Sequence, residues 1–138
     1  MAVLKWTRSR EVFVTEIDDE HRTVFEAADE LQRLLAADAP LYQIQESLHR
    51  LLLGAEEHFV HEEQLMRAAR YEMFDWHKQQ HNTARKRMRQ FTPLIEQGDK
   101  DAGAALLSFL AHWLRDHTSL TDRMMGAFLR NKQRASVG

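Results

Sequence analysis

Residues 41–66 read LYQIQESLHRLLLGAEEHFVHEEQLM. Taken alternately three and four apart, they give Leu41, Ile44, Leu48, Leu51, Ala55, His58, Glu62 and Leu65, a series that continues to Ala69. This spacing returns to one face of an α-helix, and such a face is buried against other helices. The face is apolar as far as Ala55 and then turns polar. His58 and Glu62 occupy core positions one turn apart, whereas His61 and Glu63 turn away.

The same count organises the rest of the chain. A helix from about Asp18 to Ala37 carries Ile17, His21, Val24, Ala28, Leu31 and Leu35 on its inner face. A third, from near Asp75 to Gly98, carries Phe74, His77, His81, Ala84, Met88, Phe91 and Ile95. A fourth, over about 101–130, carries Leu106, Leu110, Trp113, His117, Leu120 and Met124. Asp38-Ala39-Pro40 marks a turn, with Asp38 or Ala39 as cap and Pro40 in the first turn of the second helix. Gly98 is a helix stop, and Pro93 is a candidate kink. Short links between long helices predict an all-α fold, an antiparallel up-down-up-down four-helix bundle. Residues 1–16 read as an N-terminal arm with Trp6 as a packing plug, and 131–138 as a flexible, frayed tail of one domain spanning 1–138. Asp18 and Asp19 are expected to cap the first helix.

The totals narrow the function. With 19 basic and 21 acidic residues the formal charge is −2, which offers no electrostatic case for nucleic acid or an anionic membrane. Cysteine is absent, so disulfides, thiolate nucleophiles and thiolate metal sites are excluded. No run approaches the roughly 18 apolar residues of a membrane span, and the start lacks a signal-peptide pattern. The expected location is the cytoplasm.

The unusual total is eight histidines. His21, His58, His77, His81 and His117 fall on inner faces; His49, His61 and His112 fall outside. In an alternating bundle the start of the first helix meets the end of the second, the start of the third and the far part of the fourth. The five inner histidines therefore share one end. Unpaired buried imidazoles and carboxylates cost about 1–3 kcal/mol each, and metal ions satisfy such groups together. Asp122 is a further candidate. Five imidazoles and two carboxylates exceed the six positions of one octahedral ion, so two ions fit better than one. Iron, zinc, manganese and copper all accept this donor set.

IDDEH at 17–21, HFVHEE with Met66 at 58–66, HKQQH at 77–81 and WLRDHTSLTD at 113–122 resemble the hemerythrin family, most closely its bacterial single-domain members. The match runs from Trp6 to about Leu129. The resemblance implies a non-haem di-iron centre that takes up O2 reversibly, as a carrier, store or sensor. It implies that His77, His81 and His117 hold one iron and His21 and His58 the other. Glu62 and Asp122 would bridge the pair, beside an oxo or hydroxo bridge, with the irons cycling between Fe2+ and Fe3+. O2 would occupy the open position of the two-histidine iron. Phe59, Trp113 and Leu114 are matched to the wall of its apolar pocket, with Val24, Met66 and Thr118 as expected neighbours. A redox or O2-accepting protein partner is compatible with this role.

Two features need a structural answer. Asp122 lies five residues after His117, about 140° round an ideal α-helix, so a wide, π-like turn is expected there. Thr118 stands where many relatives carry a bulky aliphatic side chain, and its hydroxyl could alter O2 access. A di-iron peroxidase or oxidase is the alternative reading, with iron buffering a third. Ferritin-like di-iron enzymes draw on four carboxylates and two Glu-x-x-His motifs; here the sole Glu-x-x-His, Glu46/His49, lies far from the cluster and reads as a surface pair.

Overall fold

The computed structural model describes Trp6 and residues 11–137; the remainder of the arm and Gly138 lie outside the described residues. Helix α1 spans Thr15–Ala36, α2 Leu41–Ala68, α3 Phe74–Glu96 and α4 Lys100–Asp116. A π turn, His117–Thr121, joins α4 to α5, Asp122–Val137, so these three pieces form the fourth rod of a four-helix bundle. Helices α1 and α3 each pack against α2 and α4.

Local chemistry explains the links. Gly98 adopts φ 95°, the left-handed conformation that ends α3. Its N–H reaches Ile95 O (3.0 Å), and the Asp99 N–H reaches Leu94 O (3.0 Å). The Asp99 side chain then accepts from the Ala102 N–H and caps α4. Pro93 sits in the last turn of α3, which continues to Glu96. At the α1–α2 turn, Pro40 itself is the N-cap and neither Asp38 nor Ala39 caps.

Helix α1 begins three residues before the expected Asp18, and no side chain caps it at Val14. Asp18 instead accepts from the backbone N–H of Val12 (2.8 Å) and Phe13 (3.1 Å), which straps the arm to the first turn. Asp19 is exposed. Trp6 packs on the core with the Arg22 guanidinium 4.5 Å above its ring. Residues 131–137, expected to fray, extend α5. Lys132, Gln133, Arg134 and Ala135 are all good helix formers, and no glycine or proline stops the helix among them.

Two apolar clusters enclose a polar layer. The larger includes Phe25, Leu31, Leu48, Leu51, Leu106 and Leu110. The smaller, at the arm's end, comprises Val12, Ile17, Met66, Tyr71 and Met125. Three inner-face assignments fail: Leu41, Leu120 and Met124 are 41%, 60% and 40% exposed. The π turn explains the last two. It adds a residue to one turn, so Thr121, Asp122 and Met125 rotate inward in their place.

Gly126 lets the arm close over the smaller cluster. A Cβ there would lie 2.7 Å from the Val12 carbonyl oxygen. Alanine gains about 1 kcal/mol of helix propensity, whereas crowding of this kind costs about 1–3 kcal/mol. Val12 is also held at both ends, its N–H by Asp18 and its carbonyl by Arg130. Gly126→Ala is therefore expected to lower the urea unfolding midpoint, with the loss removed when the arm is truncated.

Candidate metal centre

Each rod brings donors to one layer. Helix α1 supplies His21, α2 supplies His58 and Glu62, and α3 supplies His77 and His81. His117 opens the π turn and Asp122 follows it. All seven are buried, with Glu62, His77, His81 and Asp122 at 0% exposure. The expected wide turn is present: the Asp122 N–H bonds the His117 carbonyl five residues back, which swings the carboxylate inward.

The five imidazoles turn Nε2 toward the two carboxylates, and the contacts divide into two groups. Glu62 Oε2 lies 3.2 Å from His21 Nε2 and 2.9 Å from His58 Nε2, and Asp122 Oδ2 lies 3.0 Å from His21 Nε2. Glu62 Oε1 lies 3.2 Å from His77 Nε2 and 2.9 Å from His81 Nε2. Asp122 Oδ1 lies 3.1 Å from His77 Nε2 and 3.0 Å from His117 Nε2. Each carboxylate thus offers one oxygen to each group. One potential metal-binding set is His77, His81, His117, Glu62 and Asp122; the other is His21, His58, Glu62 and Asp122.

The residues suit a metal better than one another. His117 Nε2 and both Asp122 oxygens are buried without a properly directed hydrogen bond, although their neighbours stand near 3 Å. Lone pairs that converge without pointing at each other are what ligands of a shared ion present. Donors about 2.1 Å from an ion and at right angles lie about 3 Å apart. Neutral imidazole and carboxylate, with no thiolate, is a donor set for first-row transition ions.

Three of the five outer ring nitrogens are also held, whereas His21 Nδ1 and His77 Nδ1 are buried with no hydrogen-bond partner among the described residues. His58 Nδ1 donates to Glu20 Oε1 (2.9 Å), whose other oxygen takes His61 Nδ1 (2.7 Å). His81 Nδ1 donates to Glu63 Oε2 (2.8 Å), which Arg85 also contacts at 2.8 Å. His117 Nδ1 donates to Gln80 Oε1 (2.9 Å). Such partners fix ring orientation and raise ligand basicity. Glu63, whose off-face position fits either a solvated charge or an acceptor for a ligand ring, takes the second role and is part of the site. Glu20 and Gln80 carry no signal in the periodicity, since both lie beside an inner-face histidine rather than on the face. His49 pairs with Glu96 (3.0 Å) and not with Glu46, and His112 lies exposed.

Burial opposes charge on His21, but Asp122 and Glu62 outweigh it and push its pKa up to about 10. The same competition pushes His77 up to about 9. Burial opposes ionisation of Glu62 and Asp122 as well, yet the imidazoles hold both well below the usual carboxylate range. In the metal-free chain, protons held on His21 and His77 offset the charge of the two carboxylates. A raised histidine pKa contributes stability that is full below about pH 6.5 and is lost as pH rises through the folded-state value. Chelator-stripped protein should therefore melt at a lower temperature at pH 9.5 than at pH 6. Metal uptake should release protons and tighten over the same range.

A small cavity of about 10 Å³ adjoins the two-histidine group, room for roughly one water-sized molecule. Val24, Ala55, Phe59, Trp113, Leu114 and Thr118 wall it, beside His21, His58, His117 and Asp122. Phe59 stacks on His81 (4.3 Å between ring centres) and Trp113 on His117 (4.2 Å). The Thr118 hydroxyl donates to Leu114 O (2.6 Å), so its one proton is already engaged. Met66 does not line this space. It belongs to the smaller cluster with Ile17 and Met125, one helical turn beyond Glu62 on the arm side. Ala55, placed on the inner face of the helix but not among the pocket residues, takes a wall position instead. Larger clefts of about 310 and 740 Å³ contain none of the seven donors, so chemistry rather than size marks the site.

Comparison with known proteins agrees with this geometry. The family model described as "Hemerythrin HHE cation binding domain" matches residues 12–129. A myohemerythrin from Theromyzon tessulatum is 29% identical over 119 residues, covering 86% of this chain and 87% of that one. A bacteriohemerythrin from Clostridium acetobutylicum is 28% identical over 124 residues, covering 86% and 95%. A solved crystal structure of a point mutant superposes with a TM-score of 0.81 at 25% identity, covering 94% of this chain and 98% of that one. With four helices, the five histidines and two carboxylates gathered in one layer, and a match over nearly its whole length, this chain belongs to the hemerythrin family.

Proposed function

We propose that this protein binds O2 reversibly at a pair of iron ions. The observation that carries the reading is the pair of donor groups sharing Glu62 and Asp122. His77, His81 and His117 would hold one iron, His21 and His58 the other, and the two carboxylates would bridge them. Bound by these residues, the two ions would supply reversible two-electron redox chemistry toward O2. The two-histidine group has one donor fewer and faces the apolar cavity, which supports it as the place where O2 enters.

The chain's own residues do the rest. Glu20, Glu63 and Gln80 orient three ligand rings. Val24, Phe59, Trp113 and Leu114 exclude water, which favours release of O2 over irreversible oxidation. Apart from the proposed ligands, no titratable side chain among the described residues lines the cavity, so none of them is placed there to deliver a proton. That absence weighs against a peroxidase or oxidase, which needs a positioned acid or base.

The test uses the iron-loaded, reduced protein. On adding O2 a visible absorption band should appear, and it should disappear on deoxygenation through repeated cycles. Irreversible oxidation with turnover of added peroxide would overturn the carrier reading in favour of an enzyme. Among the described residues no helix is long and apolar enough to cross a membrane.

A further inference from the structure

One atom outside the proposed ligand set touches both ends of the π turn. Gln80 Oε1 accepts from His117 Nδ1 at 2.9 Å and from the Thr121 hydroxyl at 2.7 Å. His117 is the first residue of the turn and Thr121 the last, and both are 3% exposed. A π turn is intrinsically poorer than α-helix and persists where something outside it holds it. Here the hold comes from α3, from a residue adjacent to His81 and three beyond His77. An amide oxygen has two lone pairs, and both are used.

We propose that Gln80 is a positioning residue that staples the π turn to α3, so that one amide oxygen sets the placement of both His117 and Asp122. The proposal rests on the di-metal reading. Its mechanism is specific. The His117 bond fixes the tautomer that leaves Nε2 free to ligate. The Thr121 bond holds the turn open, so that the next residue, Asp122, faces the layer. Because His77 and His81 share α3 with Gln80, the staple also sets the separation between ligands on the third and fourth rods.

The experiment loads full-length protein with Fe(II) without oxygen and follows iron loss to a coloured Fe(II) chelator. Loss of such an outer partner typically costs 10–100-fold in metal affinity. Gln80→Leu keeps the bulk and removes the acceptor; iron should leave at least about tenfold faster than from wild type. Gln80→Glu restores an acceptor oxygen and should return the rate to within about threefold of wild type, a rescue that bulk alone does not give. Thr121→Val should have an intermediate effect and add nothing in the Gln80→Leu background, because both act through the same oxygen. Amide exchange at 117–122 should quicken in Gln80→Leu and not in Gln80→Glu.

Wild-type protein with two irons and Gln80→Leu at the wild-type release rate overturns the staple alone. Additive effects of the Gln80 and Thr121 changes overturn it as well. Wild-type protein that takes up no iron overturns the di-metal reading and the staple together. If Gln80→Leu fails to fold, Thr121→Val and Gln80→Glu decide: a wild-type rate in Thr121→Val overturns the staple, and a faster rate there with rescue in Gln80→Glu supports it.

Discussion

Glu62→Gln should reduce iron binding from two ions per chain to one or fewer, measured by metal analysis after anaerobic loading and desalting. Glu62 is the single side chain that meets four of the five imidazoles: His21 and His58 through Oε2, His77 and His81 through Oε1. Glutamine preserves the volume but keeps an acceptor on only one side. The other side becomes an N–H₂ group, which faces donors and cannot ligate. One of the two groups therefore loses its shared ligand, whichever way the amide turns. The negative charge that draws two cations into a 0% exposed layer is also halved.

The same substitution separates the site from its surroundings. In the metal-free protein, removing one partner from a buried charge cluster costs about 3–5 kcal/mol, so the stripped variant should also unfold at lower denaturant. Glu63→Gln provides the contrast. Glu63 touches His81 at its outer nitrogen and shares its charge with Arg85. Its loss should leave two irons bound and only speed their release. Two irons retained in Glu62→Gln would remove Glu62 from the bridging role.

The second large effect is expected from Phe59→Ala. Phe59 is 3% exposed, stacks on His81 at 4.3 Å and meets Trp113 edge-on at 5.5 Å. The Arg85 guanidinium lies 5.3 Å from the ring. Truncating a phenylalanine so placed typically costs 3–5 kcal/mol, made up of lost transfer energy and a residual void. That void would merge with the 10 Å³ cavity beside the two-histidine group and make room for water. The reduced, iron-loaded variant should therefore oxidise irreversibly in air several-fold faster than wild type, as well as unfolding earlier. Phe59→Leu distinguishes the two consequences. It retains much of the volume, so it should cost less stability and shift the oxidation rate less. An unchanged oxidation rate in both variants would show that Phe59 packs the core without guarding the site.

The fold and the inner donors were legible because both depend on short-range periodicity. His58 and Glu62 are one turn apart on a helix whatever they pack against, and the apolar residues around them say which face is buried. Asp122 could be placed only by allowing for an irregular turn, because a uniform 100° per residue points it outward. That same uniform count misplaced Leu120 and Met124, which the π turn rotates to the surface. Met66 was assigned to the cavity by its match within a motif. The helix carries it one turn past Glu62, into the cluster closed by Val12 and Tyr71.

By itself the sequence determined the bundle, the five inner histidines and the inward placement of Glu62, since spacing along one helix fixes which side chains share a face. Only the tertiary structure decided which side chain answers three of the outer ring nitrogens: Glu20 for His58, Glu63 for His81, Gln80 for His117. In each pair the two residues lie on different rods of the bundle. Their meeting depends on how far one rod is turned and slid against the next, a quantity set by packing across the whole core and encoded in no local interval of residues.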